Sequence, residues 1–421
     1  MEKVLIDNMS PGLRSKHLIV PTQYYDPETF QVNHLVGLFL AKGWTVTVIA
    51  PAPSYPSASV LGDSSSAVFR NHRLRICRFP TLKRNGTVFF AIINSLLFAT
   101  LGSLLTILYA LRYPRAQVFA VQYSPFTCIV PAWSAAFFLN KKASLWIFDL
   151  WPQSVSALLG RSFVTKFVYA VIESCVSVVY SSFDNCFVSS PSFLLAPLVR
   201  RLKGVELLHS WEPCHILPRL NCDSPDLSLP IRVISIGNLG AVHDLDLLEE
   251  FLLFTASLNF SWSFVGGGSG MSRVQAFSTS HQLSHVKFHG FLPKAECLRL
   301  CSMADLSIVP FRDSEVSDTI CYRFVSSLSV ATPVISFGNN AVSELVRFCS
   351  CGLILDGSNP PDFQAPRDGP VSESLSMLVD VIQSRLAFIR SSCRESALAL
   401  FESRFSETAA EASLQRFFVD H

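Results

Sequence analysis

Short β-branched runs alternate along the chain with segments in which apolar residues return every three or four positions. The clearest unit begins at Arg232. Val233, Ile234 and Ile236 form a buried-strand pattern, Gly237 and Gly240 bound a turn, and Leu245, Leu248 and Leu252 recur at helical spacing. The pattern predicts a strand running through a glycine loop into an amphipathic helix. Upstream, residues 17–25 predict a strand and its loop, and 32–42 a helix stopped by Gly43. Residues 44–50 predict a second strand, ending in a Pro/Ser-rich loop that carries Ser54, Tyr55 and Pro56. Strands follow at 117–121, 144–148 and 185–189, with helices over 126–139, 163–180 and 191–201. Four prolines within 212–230 mark a linker. Beyond it the plan repeats, with strands at 261–265, 286–289, 306–310 and 333–336. The expected fold class is α/β, two doubly wound, Rossmann-like domains over 1–211 and 231–400 that face a central cleft. In the last segment, 401–421, Thr408 and Glu411 have capping-box spacing ahead of Leu414, Phe417 and Phe418.

A chain of 421 residues suits two or three domains, and 49% hydrophobic with 16% charged residues excludes a disordered protein. The net charge of +2 hides an asymmetry: residues 1–200 carry 17 Lys/Arg against 8 Asp/Glu, whereas 201–421 carry 17 against 24. Six basic residues, Arg70, Arg73, Arg75, Arg78, Lys83 and Arg84, precede an uncharged run over 88–111. No zinc-ligand spacing or ribonucleoprotein-type aromatic motif accompanies this charge, so an anionic membrane surface fits better than nucleic acid. The run over 88–111 is long enough to cross a bilayer, but Asn94, Ser95, Gly102, Ser103 and Thr106 dilute it. A spanning helix, a helix lying in the interface and a helix packed on the domain all remain open. The twelve cysteines show neither a disulfide framework nor metal-ligand spacing, which points to free thiols in a reducing compartment. The first residues lack the pattern of a signal peptide.

The chemistry concentrates in the glycine loops. Gly237 and Gly240 let a backbone approach a ligand closely, and the amides at the following helix start attract phosphate; a plain strand-to-helix turn explains the same residues. Gly268-Ser-Gly-Met-Ser-Arg273 lacks the third glycine of a dinucleotide fingerprint, Gly-Lys-Ser/Thr is absent, and Gly267-Gly-Ser-Gly-Met271 breaks a hydrolase elbow. Asp149, followed by Leu150, Trp151 and Pro152, sits where a strand ends and open α/β sheets place ligand groups; capping the turn before Pro152 is the plainer role.

In this order the segments resemble the retaining, nucleotide-sugar-dependent glycosyltransferases of the GT-B fold, glycosyltransferase family 4-like, in particular the bacterial fucosamine-transferase-like group of polysaccharide enzymes. The resemblance runs over about 17–420. It rests on Thr22 to Asn33, Ser54-Tyr-Pro56, Ser124-Pro125 and Asp149 to Ser154, then on Gly237-Asn-Leu-Gly240, Val265-Gly-Gly-Gly268, His289-Gly-Phe-Leu-Pro293, Ala304-Asp305 and Cys351-Gly-Leu353. It implies a donor site in the second half, with Gly237, Asn238, Gly240, Gly268, Phe291 and Ser326 binding the nucleotide-sugar. Arg323 would stabilise the leaving diphosphate, and Glu344 would lie near the donor sugar or ribose. Asp149 is the third candidate catalytic residue, and Glu28, Asn33 and Trp151 are candidates for the acceptor side. Ser326 stands where the wider family has the first glutamate of its paired-glutamate motif.

The resemblance further implies a UDP-sugar as co-substrate, no metal or other cofactor, and a lipid-linked saccharide acceptor. It implies a peripheral position on the inner face of the cytoplasmic membrane, polysaccharide-assembly proteins as partners, and a C-terminal helix that returns to the first domain. Some positions depart from the family pattern. Cys321-Tyr322-Arg323 replaces Pro-Ser-Lys, Ala331-Thr332-Pro333 replaces Gly-Lys-Pro, and Gln31 stands in place of arginine. These departures support a second reading, a catalytically silent homologue that binds a sugar nucleotide or scaffolds an assembly.

Overall fold

Most of the β-branched runs become parallel strands buried on both faces, which is why they read as near-continuous apolar stretches rather than alternating ones. The computed structural model describes residues 16–53, 71–82, 88–151, 163–213, 229–312, 318–355 and 371–418. The chain forms two compact units. One comprises residues up to Ser189, Leu194–Leu208 and the residues from Gln415; the other comprises Ser190–Phe193 and His209–Leu414.

The first unit holds β1 (His17–Pro21), β2 (Thr45–Pro51), β3 (Leu74–Phe79), β4 (Gln117–Gln122), β5 (Ala143–Ile147), β6 (Asn185–Val188) and β7 (Val205–Leu207). They form one sheet in the order β3-β2-β1-β4-β5-β6-β7, parallel throughout, with Leu18 opposite Val46 and Val121 opposite Trp146. The order reverses between β1 and β4, the switch point of a doubly wound sheet. Helix α1 (Gln31–Ala41) joins β1 to β2.

Sequence periodicity missed β3, because its arginines read as a basic loop. Arg75 Nη1 donates to the Tyr113 hydroxyl at 2.9 Å, and Arg78 Nη1 donates to the Pro51 carbonyl at 2.7 Å while Nη2 reaches the Tyr25 and Asp26 carbonyls. Arg78 thus holds the loop after β1 together. Arg70, Lys83, Arg84 and the Ser54–Pro56 segment lie outside the described residues.

The uncharged run forms α2 (Val88–Leu97), a π-helical turn (Phe98–Gly102) and α3 (Ser103–Arg112), the crossover between β3 and β4. One face packs on the sheet: Phe98, Thr106 and Ala110 are fully buried, and Phe98 stacks on Phe79 at 6.1 Å. Gly102 admits Pro131 of α4 (Val130–Leu139), where a Cβ would stand 3.0 Å from the proline ring. The other face leaves Ile92, Leu96, Leu104, Leu108 and Leu111 exposed. Among the described residues, Phe90–Arg112 is the one helix long and apolar enough to cross a membrane.

The second unit repeats the plan with β8 (Ile231–Ile236), β9 (Phe260–Val265), β10 (Val286–Gly290), β11 (Leu306–Val309), β12 (Val334–Phe337) and β13 (Gly352–Leu355). Their order is β10-β9-β8-β11-β12-β13, again parallel, with the reversal between β8 and β11. Trp262, Phe264, Phe251 and Phe337 fill one core. At the start of β11, Asp305 is 1% exposed; it accepts from Arg390 Nε at 2.9 Å and from the Arg232 amide at 2.8 Å. Arg394 binds the neighbouring Ala304 carbonyl. Ala304-Asp305 is therefore a clamp that ties the Ile389–Cys393 turn to the sheet.

The last helices correct the expected cap. The Glu407–Ser413 helix is capped by Ser406, whose hydroxyl accepts from the Ala409 amide at 3.2 Å, and Thr408 lies inside the helix. The Gln415–Phe418 turn belongs to the first unit, where Phe417 packs against Phe39, Trp44, Phe119 and Phe187.

Candidate functional site

In the second unit the glycine loops meet backbone to backbone at the C-terminal edge of the sheet. The Gly237 amide donates to the Val265 carbonyl at 2.8 Å, and the Leu239 amide to the Gly267 carbonyl at 2.9 Å. Gly266 and Gly268 have φ of +122° and +96°, and a Cβ on either would lie 2.3 or 2.2 Å from the Gly237 or Leu239 carbonyl oxygen. Only glycine permits this approach. Phe291, 56% exposed after β10, lies over Gly267, where a Cβ would stand 2.7 Å from its ring.

Arg323 enters this corner from the first turn of the Tyr322–Ser329 helix, across the switch point from β8. Its side chain donates through Nη2 to the Asn238 carbonyl, so the Asn238 contact is with backbone rather than amide side chain. Arg323 is 9% exposed, and Nη1 has no hydrogen-bond partner among the described residues. Burial holds its pKa below the usual guanidinium range, opposed by the neighbouring Cys321, and no carboxylate among the described residues pairs with it.

His243 shapes the same loop. Its Nδ1 accepts from the Gly240 amide at 2.9 Å, and its ring stacks on Phe311 at 5.3 Å. Burial, followed by the nearby Arg323 charge, lowers its pKa to about 4. The ring is therefore neutral near pH 7. One amide expected to face a ligand is thus engaged within the loop, while the Gly237 amide closes the sheet edge.

Ser326 lies one turn after Tyr322, and the acid it faces comes from far away in sequence. Glu212, 3% exposed, accepts from Lys294 Nζ at 2.7 Å, the Tyr322 hydroxyl at 2.6 Å and Ser326 Oγ at 3.1 Å. A carboxylate thus stands beside the position that lacks one in the sequence pattern. Sequence reasoning placed Glu212 in a linker and passed over Lys294; the Pro293-Lys294 helix start was the available signal. Glu344 is exposed in the first turn of the Ala341–Cys349 helix, whose N-terminus Asn340 caps through its side-chain oxygen to the Val342 and Ser343 amides.

In the first unit the other candidates gather at the C-terminal ends of β1, β4 and β5. Asp149 Oδ2 accepts from the Ser124 amide at 2.9 Å, and the Asp149 carbonyl accepts from Gln122 Nε2 at 3.0 Å. Burial raises the Asp149 pKa, and the Ser124 hydrogen bonds oppose that shift. Trp151 Nε1 donates to Ser124 Oγ at 3.1 Å. Asp149, Trp151 and Ser124 form one cluster. Glu28, 3% exposed, accepts from the Tyr25 amide at 3.3 Å, and Asn33 Nδ2 donates to the Glu28 carbonyl at 2.9 Å. These contacts build the loop after β1. Pro152, Gln153 and Ser154 lie outside the described residues.

No protein-family model and no curated protein sequence matches the chain. Solved structures match its fold over nearly the whole length. A glycosyltransferase from Rickettsia africae gives a TM-score of 0.63 at 11% identity, covering 96% of this chain and 98% of that one. Alr3699/HepE from Anabaena, solved with UDP, gives 0.63 at 13% identity, covering 96% and 99%. WaaG, a glycosyltransferase involved in lipopolysaccharide biosynthesis, gives 0.57 at 12% identity, covering 95% and 98%. The likeness is one of fold: this chain has the GT-B fold, with two Rossmann-like domains, as its segments led one to expect.

Proposed function

We propose that this protein is a glycosyltransferase that moves a sugar from a UDP-sugar to a lipid-linked saccharide in surface polysaccharide synthesis, with retention of configuration. The observation that carries the reading is Arg323. A guanidinium buried to 9% exposure, pinned to the Asn238 carbonyl and lacking an acidic partner among the described residues, gains most from a ligand that brings negative charge. A diphosphate meets that need, and the tight approach at Gly237, Gly266 and Gly268 leaves backbone rather than side chains to face it. The fold neighbour HepE was solved with UDP and with UDP-glucose, which supports the choice of donor.

In this reading Arg323, with the backbone at Asn238 and Gly268, stabilises the leaving diphosphate while charge develops on an oxocarbenium-like sugar. The acceptor hydroxyl attacks the same face, and a leaving phosphate oxygen takes its proton. Glu344 serves the donor sugar or ribose, and Glu212 holds Lys294, Tyr322 and Ser326 in place. Asp149 and Trp151 serve the acceptor, while Glu28 and Asn33 shape the loop beside them. The exposed face of Phe90–Arg112 fits a peripheral place on the inner face of the cytoplasmic membrane.

Calorimetric titration with UDP, GDP and ADP, beside an Arg323→Ala variant, tests the donor site. Micromolar UDP binding that weakens at least about tenfold in the variant is expected, equivalent to about 1.4 kcal/mol. Turnover should fall by about a hundredfold, the usual cost of one charge-stabilising contact. A folded sample that binds no nucleotide would overturn the reading. A second reading, a nucleotide-binding homologue without transferase activity, is favoured by the engagement of the Gly240 amide with His243. Tight UDP binding with no transfer from any UDP-sugar would select it.

A further inference from the structure

A cavity of about 610 Å³ lies at the other end of the first sheet, where β1, β2 and β3 begin. Its volume is within the range of ligand pockets. Arg73, Arg75, Arg112 and Arg115 line it, and none of its lining residues among those described is acidic. Tyr113 organises the wall. Its hydroxyl accepts from Arg75, the Arg112 guanidinium lies 5.5 Å from its ring centre, and the His17 ring packs on it at 4.2 Å. His17 Nε2 is 2.9 Å from Thr47 Oγ1, and burial followed by the Arg75 charge lowers the His17 pKa to about 4. The four arginines bring the pocket guanidinium charge, whose planar fork matches phosphate oxygens.

Apolar side chains flank the same sheet edge. Helix α3 ends at Arg112 with Leu104, Leu108 and Leu111 between 51% and 57% exposed. Helix α4 packs against α3 and ends with Phe137 and Phe138, 62% and 65% exposed, shortly before β5 begins. A phosphate-binding concavity beside exposed leucine and phenylalanine suits a ligand with an anionic head and an apolar body. We propose that this pocket takes the phosphate head of an anionic membrane lipid while the α3 and α4 side chains rest in its acyl layer. The pocket belongs to the first unit and the glycine loops to the second; the proposal rests on the peripheral membrane placement given above and not on the donor reading.

Co-sedimentation with phosphatidylcholine vesicles, with and without phosphatidylglycerol, tests it, using wild type, Arg73→Gln/Arg115→Gln and a control in the second unit, Lys287→Gln/Arg404→Gln. The control removes the same charge from exposed residues outside the pocket. Binding is expected only to the anionic vesicles. It should weaken about thirtyfold in the arginine variant, at about fivefold per basic residue, and less than about threefold in the control. Circular dichroism of both variants checks that they are folded. A parallel titration with inorganic phosphate separates a lipid head from a soluble ion. Equal losses in the two variants, equal binding to neutral vesicles, or phosphate binding without vesicle binding would each overturn the proposal, as would no binding at all.

Discussion

Two buried charges of opposite sign belong to the second unit, and their surroundings differ. Glu212 has three donors around its carboxylate, whereas Arg323 has one backbone carbonyl and an unpaired Nη1 among the described residues. The first is a structural knot, and the second is the group on which the donor proposal rests. Asp305 is a knot of the same kind, with Arg390 9% exposed and Asp305 2% exposed by side chain. Asp305→Ala leaves that arginine buried without its partner. It should cost about 3–5 kcal/mol in urea unfolding, and a change below about 1 kcal/mol would show that the pair contributes little. Arg323 was singled out in the sequence only through the resemblance. Its partner was not, because a contact between a side chain and the carbonyl of Asn238 leaves no mark on residue types.

At the scale of elements, most strands were legible because burial on both faces makes them apolar at consecutive positions. β3 was not, since its arginines are satisfied by Tyr113, the end of β2 and loop carbonyls, contacts that only the packed strand makes. The helix from Phe90 to Arg112 was ambiguous for a different reason. Composition reports how apolar a helix is, and only packing reports which face is covered. Two substitutions separate its faces. Phe98→Ala empties a fully buried position stacked on Phe79 and should cost about 3–5 kcal/mol. Leu104→Gln, on the exposed face, should change stability by less than about 0.5 kcal/mol. Comparable losses in urea unfolding would show that both faces are packed.

At the scale of the whole molecule, each unit carries an imidazole held neutral by burial, His17 in one and His243 in the other, both with pKa about 4 against 6.5 in the unfolded chain. The unfolded state therefore binds the proton first as pH falls. Stability from these groups is complete above pH 6.5 and is lost as pH falls toward 4. Asp149 acts in the opposite sense in the first unit, because its raised pKa lets the folded state take a proton before the unfolded chain does. The thermal midpoint should fall between pH 6.5 and 4; a flat profile across that window would contradict the burial of both rings. The sequence by itself determined the α/β class, the doubly wound plan in each half and the glycine loops, because strand burial, helix spacing and turn chemistry are written in neighbouring residues. Tertiary structure alone decided that Glu212 stands beside Ser326, that His243 occupies the Gly240 amide, and that arginines from β3 and the end of α3 line one pocket. Those relations join residues far apart in the chain, and no local periodicity encodes them.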